Sequence, residues 1–262
     1  MTAKKKYDKV CYNKVFLKEV ILRIDFPAPV SALAKTIPAK LSKAALSLFP
    51  VSESQQVQAQ ELQFSATGVS ASSREETQWI FNGKDREKTL VIAQQHMVFT
   101  TRSYRTYEEM ADDFFSVLNV LQKIDPDLIA SRMGLRYINI IDLPDGDPLD
   151  WDGYIEDSLL GMMNFNSRQK NLSRAFHVLE YNFEEMLLKC QFGMANPDYP
   201  AIVRRRQFVL DLDAFSTSAC ELDDLPRVID EAHAIVQDFF ESSIGEQTRK
   251  IMKQRKHARK AN

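Results

Sequence analysis

Arg132-Met-Gly-Leu-Arg-Tyr-Ile-Asn139 is the stretch from which the fold is read. With a period of two, Arg132, Gly134 and Arg136 fall on one face and Met133, Leu135 and Tyr137 on the other. Gln207-Phe-Val-Leu-Asp-Leu-Asp213 repeats the pattern, with Asp211 and Asp213 on one side and Phe208, Leu210 and Leu212 on the other. Strands that are apolar on one face and charged on the other belong to an antiparallel sheet covered on one side. The cover is also visible. Thr106 and Glu109 form a capping box ahead of a stripe of Tyr107, Met110, Ala111, Phe114, Phe115, Leu118 and Leu121. Leu225, Val228, Ile229, Ala232, Ile235, Val236, Phe239, Phe240 and Ile244 keep helical spacing in a second long helix, with Asp223 and Asp224 at its positive end. The expected class is α+β, a largely antiparallel curved sheet with two long amphipathic helices packed on it.

The remaining segments fit around this frame. Val15 to Phe26 reads as a strand closed by Pro27 and Pro29. A helical pattern runs from Ser31 to Leu48, and Pro38 inside it breaks or kinks the helix. Gln55 to Thr67 alternates polar and apolar residues. Short strands at Trp79–Asn82, Thr89–Ala93 and Met97–Tyr104 make a meander. After the turn-rich run from Asp145 to Trp151 come a short helix around Tyr154–Met163 and strands near Ser173–Phe183 and Glu185–Gly193. The order is strands and then one long helix, twice over. That pattern divides the chain into a first half, 1–144, a second half, 145–247, and a basic tail, 248–262. Such an order is produced by duplication of one unit, and equally by the general habit of α+β folds.

Composition narrows the class of function. The chain has 262 residues, 44% of them hydrophobic and 27% charged, and only 8 Gly and 10 Pro, which is the profile of a globular protein. No apolar run reaches the ~18 residues of a membrane span. The N-terminal lysines lack the apolar stretch of a secretory signal. Cys11, Cys190 and Cys220 are widely separated and carry no metal spacing, as expected in the reducing cytoplasm. The net charge of −2 conceals basic ends. Lys4, Lys5, Lys6, Lys9, Lys14, Lys18 and Arg23 crowd the start, and Arg249, Lys250, Lys253, Arg255, Lys256, Arg259 and Lys260 the end, so the body between them is acidic. The ends could grip nucleic-acid phosphates, remain solvated, or fold back on that body.

Signatures of catalysis are scarce. Phosphate-cradling glycine loops, the G-x-S-x-G elbow and H-E-x-x-H are absent, and His96, His177, His233 and His257 stand singly. Two readings of the charged strand faces remain open. In one, Arg132 and Arg136 are an anion- or partner-binding pair, with Asp211 and Asp213 able to hold a divalent cation in a phosphate-processing site. In the other, the arginines pair with Asp211, Asp213 or Glu19 as a polar network that serves the scaffold. Gly134, between two guanidinium groups, lets some group approach the backbone closely. Arg204-Arg205-Arg206, beside Asn196-Pro-Asp-Tyr-Pro200, is a further anion- or partner-binding candidate on a loop. No catalytic residue, metal or cofactor is assigned.

The N-terminal strand Lys18-Glu-Val-Ile-Leu-Arg-Ile-Asp-Phe-Pro27, the central Gly-Leu-Arg-Tyr-Ile-Asn139 and Phe208-Val-Leu-Asp-Leu-Asp213 with its following helix resemble a sporadically distributed bacterial protein family of similar length. The usual proline-leucine before the N-terminal glutamate is replaced here by Phe16-Leu17-Lys18. The resemblance implies an accessory role in mobile elements and defence islands, in a toxin–antitoxin or antiviral setting. It names no activity and no catalytic residue. The function expected is a non-enzymatic interaction module with a protein partner, the product of a neighbouring gene, and the alternative is a nucleic-acid-acting protein or metal-dependent phosphate-processing enzyme that uses the Arg132/Arg136 and Asp211/Asp213 strands, with the basic ends gripping phosphate.

Overall fold

The computed structural model describes residues 10–65, 68–163, 165 and 167–253, with side chains described outside 57–76. The basic residues Lys4, Lys5, Lys6, Lys9, Arg255, Lys256, Arg259 and Lys260, His257, and most of the side-chain alternation over Gln55–Thr67 lie outside the described residues.

The fold is α+β. Its strands and helices are β1 (Leu17–Asp25), α1 (Ala39–Leu48), β2 (Val51–Ser65), β3 (Gly68–Asn82), β4 (Lys88–Ile92), β5 (His96–Thr101), α2 (Tyr107–Ile124), β6 (Ile129–Ala130) and β7 (Arg132–Asp142). They continue with α3 (Asp157–Leu160), β8 (Ala175–Phe183), β9 (Met186–Met194), β10 (Gln207–Ser216), β11 (Cys220–Glu221), α4 (Leu225–Ser243) and α5 (Glu246–Met252). Among the described residues, nine strands form one large antiparallel sheet in the order β2-β3-β4-β5-β1-β7-β10-β9-β8, while β6 and β11 pair separately. No helix among the described residues is long and apolar enough to cross a membrane.

The chain divides into two compact units, interleaved along the sequence. One comprises Ile21–Gly134 and Ser218–Pro226. Here a single turn at Ser31–Leu33 and the helix α1 are separate elements, and Pro38 stands immediately before α1, where its missing donor is tolerated, whereas inside one continuous helix it would remove a hydrogen bond and clash with the preceding turn. Thr106 caps α2, accepting from the Glu109 amide at 3.2 Å. Helix α2 buries Met110, Ala111, Phe114, Val117, Leu118 and Leu121. Phe49 and Phe99 meet edge-to-face in this core, with centroids 5.5 Å apart.

The other unit comprises Met1–Val20, Leu135–Thr217 and Arg227–Asn262. Leu135, Phe208, Leu210, Leu212 and Leu188 are fully buried on one face of its strands. Each is stabilising by ~2 kcal/mol relative to exposure. Helix α4 lies on that face: Tyr137 of β7 hydrogen-bonds His233 of α4 at 3.1 Å, and Phe239 of α4 packs edge-on against Tyr181 of β8 at 4.8 Å. The helix-like pattern at Tyr154–Met163 yields only the single turn α3, because the chain there turns back to the α4–α5 junction. Gly245 donates its amide to Tyr154 at 2.7 Å, and Gln247 donates to Gly153 at 2.9 Å.

Candidate interaction surface

The charged faces of the two signature strands resolve into ion pairs. Arg136 donates from Nε to one Asp211 oxygen at 2.7 Å and from Nη2 to the other at 2.5 Å, a fork that occupies both carboxylate oxygens. The Asp211 side chain is buried. Hydrogen bonding to Asp211 raises the Arg136 pKa, burial opposes this, and the charges of Asp211, Asp213 and Glu19 reinforce it. Arg136, Asp211, Asp213 and Glu19 therefore form one electrostatic group within their unit.

Arg132 turns to a different carboxylate, Asp25, at 3.7 Å, and Asp25 is also held by Arg23 at 2.8 Å. These ion pairs of the two strand arginines thus run to different carboxylates, Asp25 and Asp211. The group that approaches the Gly134 backbone is the guanidinium of Arg132: a Cβ at position 134 would lie 3.0 Å from Arg132 Nη1. Among the described residues, no three His, Cys, Asp or Glu side chains are grouped to hold a metal ion.

The arginine triplet separates in the same way. Arg204 is exposed. Arg205 forks onto Asp198 at 2.9 and 3.2 Å. Arg206 is folded beneath the 145–155 loop, donating to the carbonyls of Asp145 (2.9 Å) and Asp150. It sits 4.7 Å over the Tyr154 ring, a cation–π contact. Of the three, Arg206 serves the scaffold, and consecutive position along the chain conceals that difference. Behind this loop is a cavity of about 280 Å³, floored by Trp151, Leu160, Met163 and Met194 and rimmed by Asp150, Asp152 and Gln169.

Among the described residues, the most exposed apolar surface within a regular element is at β8, last in the sheet order. Phe176, Val178, Leu179, Tyr181 and Phe183 are each between 38% and 51% exposed. They occupy both faces of the strand: register with β9 places Phe176, Val178 and Glu180 on the face of Asp211, and His177, Leu179, Tyr181 and Phe183 on the α4 face. This edge strand of nine residues is free of proline and lysine and carries one charge, Glu180, so it has few of the devices that usually blunt such edges. The opposite edge is polar where its side chains are described. The described start of β2 presents Ser52, Glu53, Ser54, Gln55 and Gln56, with Glu53 paired to Arg86 at 2.8 Å. Sequence reasoning placed the β8 strand but not its exposure. Its signal is apolar character in both alternation phases, which ordinarily marks a strand buried on both faces.

No family model and no curated protein matches the chain.

Proposed function

We propose that this chain is a non-enzymatic protein-interaction module that engages its partner through the β8 edge. The observation that supports the reading is the apolar, unblunted strand at the end of the sheet order. Backbone donors and acceptors along such an edge are satisfied by another extended strand, and alternating side chains supply selectivity. The family resemblance adds the setting: an accessory, antitoxin-like component of a bacterial defence or mobile-element system, cytoplasmic, with the neighbouring gene product as partner.

The test is co-purification from the native host, with wild type compared against Val178→Lys. Val178 is about half exposed, so the substitution charges the edge without emptying a core. A protein recovered with wild type and lost with the variant supports the reading. Recovery of the lone monomer in both cases rejects it. Binding to DNA or RNA that weakens steeply with salt, in place of protein capture, would favour the nucleic-acid alternative.

A further inference from the structure

We infer that the strand received by β8 is β8 of a second copy of this chain, paired antiparallel about a two-fold axis through Leu179. The inference rests on β8 being the docking edge. It puts a second copy, in a stated register, on the edge where the reading above puts a neighbouring gene product.

A two-fold axis perpendicular to the sheet keeps each side chain on its own face, so residue pairs must have equal parity. Three registers near the strand centre meet this condition, with Val178, Leu179 or Glu180 on the axis. Charge separates them. With Glu180 on the axis, two carboxylates stand directly opposite each other, which is destabilising in a ladder. With Leu179 on the axis, each Glu180 faces the second copy's Val178 and keeps Lys189 as its cross-strand neighbour in β9. Only this centre overlaps all nine residues of β8. Beyond the strand, a net charge of −2 gives two copies little mutual repulsion.

Side-chain chemistry agrees with that register. On the α4 face, Leu179 meets the second copy's Leu179, Phe183 meets the small Ala175 of the second copy, and His177 meets the second copy's Tyr181. The exposed stripe of Leu179, Tyr181 and Phe183, partly covered by Phe239, becomes continuous across the axis. A heterologous joint of β8 to β2 is disfavoured by the polar, ion-paired start of β2. The pairing therefore closes as a dimer instead of propagating.

Sedimentation equilibrium of the purified full chain tests this. Wild type is expected at twice the chain mass, and Leu179→Lys, which opposes two like charges on the axis, is expected to weaken association by roughly tenfold or more with an unchanged circular dichroism spectrum. Register is read by cross-linking in a Cys11→Ser/Cys190→Ala background, because Cys190 is the β9 neighbour of position 179 and would otherwise compete within the chain. Opposed residues in an antiparallel pair have Cα atoms ~5 Å apart, within disulfide reach. Oxidised Leu179→Cys should give a covalent dimer, and Phe176→Cys should not. A wild type that is monomeric at ~100 μM, the concentration scale of a weak edge contact, overturns the inference. So does a dimer indifferent to Leu179→Lys. If such a monomer still captures a host protein in a Val178-dependent manner, the second copy is rejected and the interaction module stands. If it captures none, both fall.

Discussion

Arg136 and Asp211 face each other from adjacent strands, β7 and β10, joined by two parallel hydrogen bonds of 2.7 and 2.5 Å. The carboxylate is buried, whereas the guanidinium side chain is 39% exposed, so solvent screens part of the attraction. Arg136→Met is expected to destabilise by about 2 kcal/mol, less than a fully buried pair loses, because it strands the Asp211 charge. The double variant Arg136→Met/Asp211→Leu should recover most of that loss. Urea midpoints measure both. A single variant as stable as wild type would remove the scaffold role from this pair.

The arginine triplet offers an internal control. Arg206 holds two backbone carbonyls and a tyrosine ring, so Arg206→Met should cost ~2 kcal/mol through unsatisfied acceptors. Amide exchange over 145–155 should accelerate at the same time. Arg204→Ala and Arg205→Ala should each stay within ~0.5 kcal/mol, as surface substitutions do. Equal effects from all three would contradict the assignment.

Gly245 is fixed by close approach. A Cβ there would lie 2.2 Å from the carbonyl oxygen of Gly153, a backbone atom that cannot swing aside. Gly245→Ala should therefore separate the 151–156 loop from the α4–α5 junction, at a cost of ~3 kcal/mol. Thermal unfolding of this variant beside Gly161→Ala gives the comparison, since a Cβ at 161 meets only ordinary contact.

Burial raises the Glu241 pKa above its ordinary 4.5, against the lowering effects of the Tyr12 hydrogen bond and Arg249. A raised folded value means that the folded state holds its proton more tightly than the unfolded state. The associated stability is complete below the ordinary value and is lost as pH rises through the raised one. Glu241→Gln cannot titrate. The Tm of the variant minus that of wild type should therefore increase from pH 4 to pH 7. A constant difference would mean that Glu241 is not perturbed.

Much of the strand layout was legible, for a definite reason. Met133, Leu135 and Tyr137, like Phe208, Leu210 and Leu212, alternate with charge, and that periodicity survives in the buried faces of β7 and β10. Thr106 announced the start of α2 through capping chemistry that acts within four residues. Pro38 divided its helix through a local steric rule. What remained hidden is non-local. Arg132 and Arg136 share a strand face, yet their partners, Asp25 and Asp211, lie 107 and 75 positions away. No pattern in residues 132–139 distinguishes an anion-binding pair from two separate ion pairs. The exposure of β8 was hidden for the same reason, because edge position is a property of strand order. The α3 region was misjudged in extent because hydrogen bonds to the α4–α5 junction override helical propensity there.

The segment leading into β1 is tied to the far end of the chain. The amides of Asn13 and Lys14 donate to the Met252 carbonyl at 3.1 and 3.0 Å, and Tyr12 donates to Glu241 at 2.9 Å. A mechanical load applied between residues 10 and 253 would fall first on this small clasp, in peeling geometry, before any strand ladder felt tension. The protein should therefore yield in two force steps, a weak one that frees the segment before β1 and a stronger one that tears the sheet.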